Sequence, residues 1–295
     1  MVPRRRAKPL LGTVVEICAR CADDSSFVIA TDAAFARIAH IHRAMSFHEH
    51  MSDLQVIARA RAGERVAVDR DTWTVLQLAL AIEHESAGIF NPSIAPTLVR
   101  SGLLPRPAGR CEPPHQSTLA SSIRLDVGHF VHVQRPVWID LGGIAKGFAV
   151  DAATRVLIEH GTRGGVVNAG GDLRVFGDVQ HTIQLRHPSN PRALLPVATL
   201  RELSCATSAD YFVANLDAPV NAAQTAMVGA RATQAATNAK MCASITVIAE
   251  HCAIADALTK VLWLTGIDSA ISRQMLAQYD AHAVALDRHG VATYA

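Results

Sequence analysis

Residues 139–147 read Ile-Asp-Leu-Gly-Gly-Ile-Ala-Lys-Gly, and they constrain the fold more than any other stretch. An apolar run, Val137-Trp138-Ile139, ends on the carboxylate of Asp140; Gly142 and Gly143 follow, and then a segment with helical apolar spacing, IAKGFAVDAATRVLIEHG. The order predicts strand, tight turn and helix. Glycines let a ligand approach the backbone closely. The free N–H groups of a first helical turn suit a phosphate. Lys146 falls in that turn, where the helix dipole disfavours a cation unless an anion lies nearby. An ordinary strand-to-helix turn with a solvated lysine would give the same letters, and the motif alone does not separate the two.

A second such turn, Asn168-Ala169-Gly170-Gly171-Asp172, also ends a predicted strand. Asp172 suits a simple turn cap. The pair of Gly-Gly turns also suits one concave, phosphate-lined site. A third signal is Ala255-Asp256-Ala257-Leu258-Thr259. On a helix, Asp256 and Thr259 share a face. One carboxylate and one hydroxyl, completed by backbone carbonyls and substrate phosphates, make a sensible Mg²⁺ set. The competing reading is an aspartate favoured by the helix N-terminus and a threonine bonded back to its own helix.

Around these signals the chain alternates. Strands are predicted at 11–18, near 65–69, at 164–177 as a pair with a turn, at 182–187, near 202–208, at 243–249 and at 281–287. Helices are predicted at 27–46, at 71–86 with Asp71 as N-cap, and at 253–266. Residues 47–70 read as mixed and polar, ending in the strand-like RVAVD. Residues 101–125 carry several prolines and read as an irregular surface excursion. The pattern gives an α+β class, not a doubly wound sheet. No domain boundary stands out, so residues 1–295 read as a single domain.

Hydrophobic residues are 49% and charged residues 18%, ordinary for a globular chain. Formal net charge is +2, which gives no reason for nucleic-acid steering. Aromatics at 5% argue against a base-stacking platform. No run is long enough for a transmembrane helix. The N-terminal basic cluster is not followed by a signal-type apolar stretch. The chain as written is therefore expected in the cytoplasm, and an upstream leader would make it periplasmic. Of the six cysteines, Cys18 and Cys21 form a C-x-x-C, but no second pair has compact metal spacing. His42, His48 and His50 flank Glu49 and read as a solvated polar loop.

Taken in order, these segments resemble the ApbE family of FAD:protein FMN transferases. Leu11-Gly12-Thr13 resembles the family's opening MGT. MSFHEHMSDLQVI, from Met45, resembles its "MS…DSELSRLN" region, and GIFNPSIAPTL, from Gly88, resembles GAFDPTVGPL. IDLGGIAKGFAVD is similar to its most diagnostic motif, and VVNAGGDLRVFG to a second. ATSADY, from Ala206, resembles ATSGDY, and ASITVIAEHCAIADALTK resembles "SVTVIAP…ADAL".

The resemblance implies a fold of mixed sheets with packed helices in two intimately packed lobes. It implies Mg²⁺-dependent transfer of FMN from FAD to a threonine hydroxyl of an acceptor flavoprotein, with AMP released. FAD would be contacted at Leu11, Ile89, Phe90, Asn91, Asp140, Lys146 and Val228. The Gly143 carbonyl, Asp256 and Thr259 would hold the metal, the latter two serving catalysis. A flavin-binding protein without catalysis, or an FAD pyrophosphatase giving FMN and AMP, would use much the same residues. Three departures stand out. Residues 225–233 read TAMVGARAT where the family has a segment like HIIDPRTG. Asn91 replaces an aspartate, and Lys260 lies where many members have a threonine next to the metal.

Overall fold

The computed structural model describes residues 3–109, 112–115, 117–209 and 242–295. Strand alternation builds its main sheet. β1 (Arg4–Leu10) turns through Leu11 and Gly12 into β2 (Thr13–Arg20), with Leu10 opposite Thr13. Val15, Ile17 and Ala19 point inward and are at most 1% exposed, while Val14 on the other face is 60% exposed. Both turn residues have positive φ, 56° at Leu11 and 69° at Gly12. That geometry matches the twist of a two-residue hairpin, but it is uncommon for a leucine.

Helix α1 (Asp24–Met45) follows, its N-terminus capped by the Asp23 side chain on the Ser26 N–H. α2 (Asp53–Arg59), β3 (Arg65–Ala67) and α3 (Arg70–Glu85) come next. α4 (Ala95–Arg100) and α5 (Leu119–Ser122) lead to the hairpin β4 (Ile123–Asp126) and β5 (Phe130–Val133). Strands β3, β5 and β4 form a small antiparallel sheet in that order. Helix α6 (Ala145–Glu159) precedes β6 (Gly164–Ala169) and β7 (Asp172–Gly177). The hairpin β8 (His181–His187) and β9 (Asn190–Leu200) leads to β10 (Ser204–Ala209). β11 (Cys242–Ala249), α7 (Cys252–Thr265), α8 (Ala270–Gln278), β12 (His282–Asp287) and β13 (Ala292–Tyr294) complete the described chain.

The large sheet runs β1-β2-β6-β7-β10-β11-β12-β13, antiparallel throughout. One face carries Ile17, Val167, Ala206 and Val247 against the buried sides of α1, α6 and α7. The other carries Leu173, Val175, Cys205 and Ile248 beneath the β8–β9 hairpin. Burial of apolar side chains on both faces drives this arrangement. The mixed helix-and-sheet class expected from the sequence is the one observed. No helix among the described residues is long and apolar enough to cross a membrane.

Several local expectations need correction. The cap of α3 is Asp69, which accepts from the Asp71 N–H; Asp71 lies inside the helix, 7% exposed and paired with Arg37. The polar stretch before residue 65 contains α2. The 101–125 excursion ends earlier than expected, because residues 119–125 already belong to α5 and β4. Val137–Asp140 belongs to no strand of a sheet; instead the Asp140 N–H donates to the Pro92 carbonyl at 2.8 Å.

Candidate functional site

The site forms where α6 and α7 pack on each other over the central strands of the large sheet. Neither helix has a side-chain cap of its own at its N-terminus. Each supplies the other's. Asp256, on α7, accepts from the Gly147 N–H of α6 at 3.2 Å. Asp151, on α6, accepts from the Cys252 and Ala253 N–H groups of α7, each at 3.0 Å. Carboxylates are favoured there because the first-turn N–H groups lack intrahelical partners. The crossing is close: a Cβ on Gly147 would lie 2.3 Å from the Cys252 carbonyl oxygen. Gly142 and Gly143, by contrast, do not have positive φ. The Gly142 N–H instead turns back to the Asp140 carboxylate at 3.1 Å.

Asp151→Ala should therefore destabilise the protein by about 2 kcal/mol, since it strips two N–H groups of their acceptor. Urea unfolding measures this, and Asp151→Asn should recover part of the loss. An unchanged midpoint for Asp151→Ala would remove the capping role.

The charged side chains gather around this crossing. Lys146 makes a close ion pair with Asp172, whose side chain is 1% exposed. Burial works against the lysine's charge, but Asp172 and Asp256 overcome it and hold its pKa above the usual range. Burial, and then the charge of Asp256, push Asp172 up to about 6 against the pull of Lys146. Burial also pushes Asp140 up, opposed by the Gly142 N–H, His48 and Lys260. At Asp256 burial is outweighed by Lys260 and Lys146, which hold its pKa below the usual carboxylate value.

Lys260 occupies the middle of the α7 set. Its Nζ donates to Asp256 Oδ1 at 2.6 Å, Thr259 Oγ1 at 2.9 Å and Ser208 Oγ at 3.2 Å. The Thr259 hydroxyl bonds back to the Asp256 carbonyl at 2.7 Å and also meets Ser208 Oγ at 2.9 Å. The residues expected to hold Mg²⁺ do offer hard oxygens, as such an ion requires. As arranged they do not fit one, because both side-chain ligands already bond the ammonium of Lys260.

The remaining expected residues fall nearby. The Gly170-Gly171 turn joins β6 and β7, with φ of 66° and 105°. A Cβ on Gly170 would approach Thr13 Oγ1 to 2.5 Å, so this turn abuts the Leu11-Gly12 turn. An open groove of about 670 Å³ runs along Pro9–Val14 beside His42. Phe90 lies close to Gly143, 3.5 Å from where a Cβ would stand. Asn91 caps a short turn by accepting from the Ser93 N–H at 2.8 Å, and its amide reaches the Ser117 carbonyl at 3.4 Å. A carboxylate could make the first bond but not the second. Ile89 packs on the main core. His48 and His50 are exposed, in keeping with a polar loop, but His42 is not part of that loop: it lies in the last turn of α1 and is half-buried. Val228, with the whole 225–233 segment, lies outside the described residues.

Asp172 as the partner of Lys146, and Ser208 as a partner of Lys260, were not expected. Both contacts join residues far apart in the chain. The only sequence hint was that Lys146 and Asp172 each flank a Gly-Gly turn.

A model of the ApbE family matches residues 11–285. An FAD:protein FMN transferase of Treponema pallidum is 24% identical over 234 residues, covering 70% of this chain and 64% of that protein. One from Rhodobacter capsulatus is 32% identical over 129 residues, covering 41% of this chain and 25% of that protein. The chain thus spans less than two thirds of the length of these curated relatives. Among solved structures, the ApbE protein of Thermotoga maritima superposes with a TM-score of 0.75 at 24% identity, covering 99% of this chain and 96% of that one. The apo flavinyl transferase ApbE of Pseudomonas stutzeri gives 0.78 at 20% identity, covering 99% and 94%. The fold is therefore shared at full length, and with nearly the whole chain inside the family match, this protein belongs to the ApbE family.

Proposed function

We propose that the protein binds FAD and transfers its FMN moiety to a threonine hydroxyl of an acceptor protein, releasing AMP. The observation that carries this is the placement of two lysines at the start of α6: half-buried Lys146 in its first turn and buried Lys260, whose stem lies beside Gly143 just before it. Such a place suits the pyrophosphate of a dinucleotide. The similarity to proteins named FAD:protein FMN transferase supports the reading.

In the step itself the threonine oxygen forms a bond to the FMN phosphorus, and the bond from that phosphorus to the AMP oxygen breaks. The lysines offset the charge on the departing AMP, and positioning does most of the rest. Asp140, raised by burial, is suited to take the threonine proton. Phe90 lies beside Gly143, and in this reading it would hold the flavin nucleotide together with Leu11, Ile89 and Asn91. No step is assigned to Mg²⁺, because Lys260 stands on its expected ligands.

Incubating the protein with FAD and a threonine-bearing acceptor fragment tests the reading. Flavin fluorescence should stay with the denatured acceptor on a gel. Free FMN and AMP without labelled acceptor would make the protein a pyrophosphatase, and intact FAD would make it a binding protein.

A pH dependence follows from Asp172. Below its pKa of about 6 the carboxyl is protonated and Lys146 is released toward an incoming anion. Above it the lysine is held in its ion pair. FAD affinity should therefore rise as pH falls from about 7.5 to about 5.5, by roughly tenfold. Asp172→Asn should flatten the profile. A flat profile in the unaltered protein would contradict this role.

A further inference from the structure

We propose that the Lys260 ammonium is the resident cation of this site: it fills the oxygen pocket of Asp256, Thr259 and Ser208, and phosphate binds beside it without a divalent metal. The statement about phosphate rests on the flavin-nucleotide reading above; the statement about the pocket does not.

The geometry is that of a filled cation site. An ammonium has three N–H donors and no acceptor. Three oxygens receive them, at 2.6, 2.9 and 3.2 Å. Two are contributed by α7 itself, with Asp256 one helical turn before Lys260, and the third comes from β10. Asp256, Thr259 and Ser208 are each 0% exposed, and Lys260 is 8% exposed. The lysine stem passes beside Gly143, where a Cβ would stand 3.5 Å from both Lys260 Cγ and Cε. Gly143 is the residue whose carbonyl would complete a metal set. The lysine thus runs alongside every residue that a hard divalent ion would need.

A divalent ion entering this pocket would have to displace the ammonium from Asp256 and Thr259. It would also shed water reluctantly, as Mg²⁺ does. Lys146 adds a second positive field on Asp256. A lysine also differs from a threonine ligand in what it presents to phosphate: it brings its own positive charge, and it cannot coordinate a metal through an acceptor.

Calorimetry of FAD binding, with Mg²⁺ and with EDTA, tests the proposal on the unaltered protein and on Lys260→Thr. The unaltered protein should bind FAD equally in both, within about twofold. Lys260→Thr should bind about tenfold more weakly in EDTA, since the positive charge beside the phosphate is lost, and Mg²⁺ should restore it. An unaltered protein whose affinity rises tenfold or more with Mg²⁺ overturns the proposal, and so does a Lys260→Thr protein unaffected by EDTA. If Lys260→Thr fails to fold, the arms on the unaltered protein decide. If FAD binds neither protein, the flavin-nucleotide reading fails, and Mn²⁺ titration followed by paramagnetic resonance judges the pocket by itself. Mn²⁺ bound only by Lys260→Thr supports a pocket filled by lysine. Mn²⁺ bound by the unaltered protein and lost in Asp256→Asn overturns it. Mn²⁺ bound by neither also overturns it, because the oxygens would then be no cation site.

Discussion

Asp256→Asn should cost the fold about 3–5 kcal/mol, as well as abolishing flavin transfer. The carboxylate is 0% exposed and serves two helices at once. Its Oδ2 receives the Gly147 N–H and its Oδ1 receives the Lys260 ammonium. An amide can accept one of these bonds but cannot match the lysine's charge. The cost arises chiefly from leaving a buried ammonium short of its counter-charge. Against a typical total stability of about 5–15 kcal/mol this is a large loss. Reading Asp256 from sequence as a metal ligand would leave the fold intact on this substitution; the ion pair reverses that expectation. Urea unfolding gives the number, and a double-mutant cycle with Lys260→Met isolates its cause. The pair replaced together should recover much of the loss. A change below about 1 kcal/mol for Asp256→Asn would mean that neither the ion pair within α7 nor the Gly147 bond to α6 carries the stability assigned to this carboxylate.

Gly147→Ala should be nearly as damaging, for a steric reason. The added Cβ would stand 2.3 Å from the Cys252 carbonyl oxygen, 2.6 Å from its carbon and 2.8 Å from Ala253 Cα. All three are backbone atoms, so no side chain can swing aside. The helices must separate, and with them go the mutual caps made by Asp151 and Asp256. A loss of about 3 kcal/mol is expected, at the upper end for overpacking. Gly143→Ala makes the control, since its nearest contacts would lie at an ordinary 3.5 Å. Thermal or urea unfolding of both should show a large loss only at position 147. Equal losses would mean that the helix crossing is less rigid than its geometry implies.

These two residues show how the sequence informs and where it stops. The segment around Asp140 and Lys146 was legible because glycines, an extended run and a helical period meet within a few residues. Of the expected site residues, Asp140, Gly143, Lys146, Asp256 and Thr259 lie around the α6–α7 crossing. Their partners were not legible. Lys146 with Asp172, Asp256 with Gly147, and Lys260 with Ser208 are long-range contacts, and local periodicity does not encode them. Gly147 reads as a weak helix position in sequence, and its value appears only once Cys252 lies across it. Thr259 took the back-bonded alternative, with its hydroxyl on the Asp256 carbonyl. Some misses had available signals. Ser52 and Gln55 have capping-box spacing at the start of α2, and the Ser52 hydroxyl does accept from the Gln55 N–H. At α3, Asp69 and Asp71 both suit a cap by composition, and only the chain's path shows which one stands outside the helix.

The most direct test of the central claim is the intact mass of an acceptor fragment after incubation with this protein and FAD, run beside the same fragment with its threonine changed to alanine. The account predicts one FMN added per acceptor, an equal amount of AMP released, and neither with the alanine fragment. An acceptor of unchanged mass, whether or not FAD is cleaved, would contradict it.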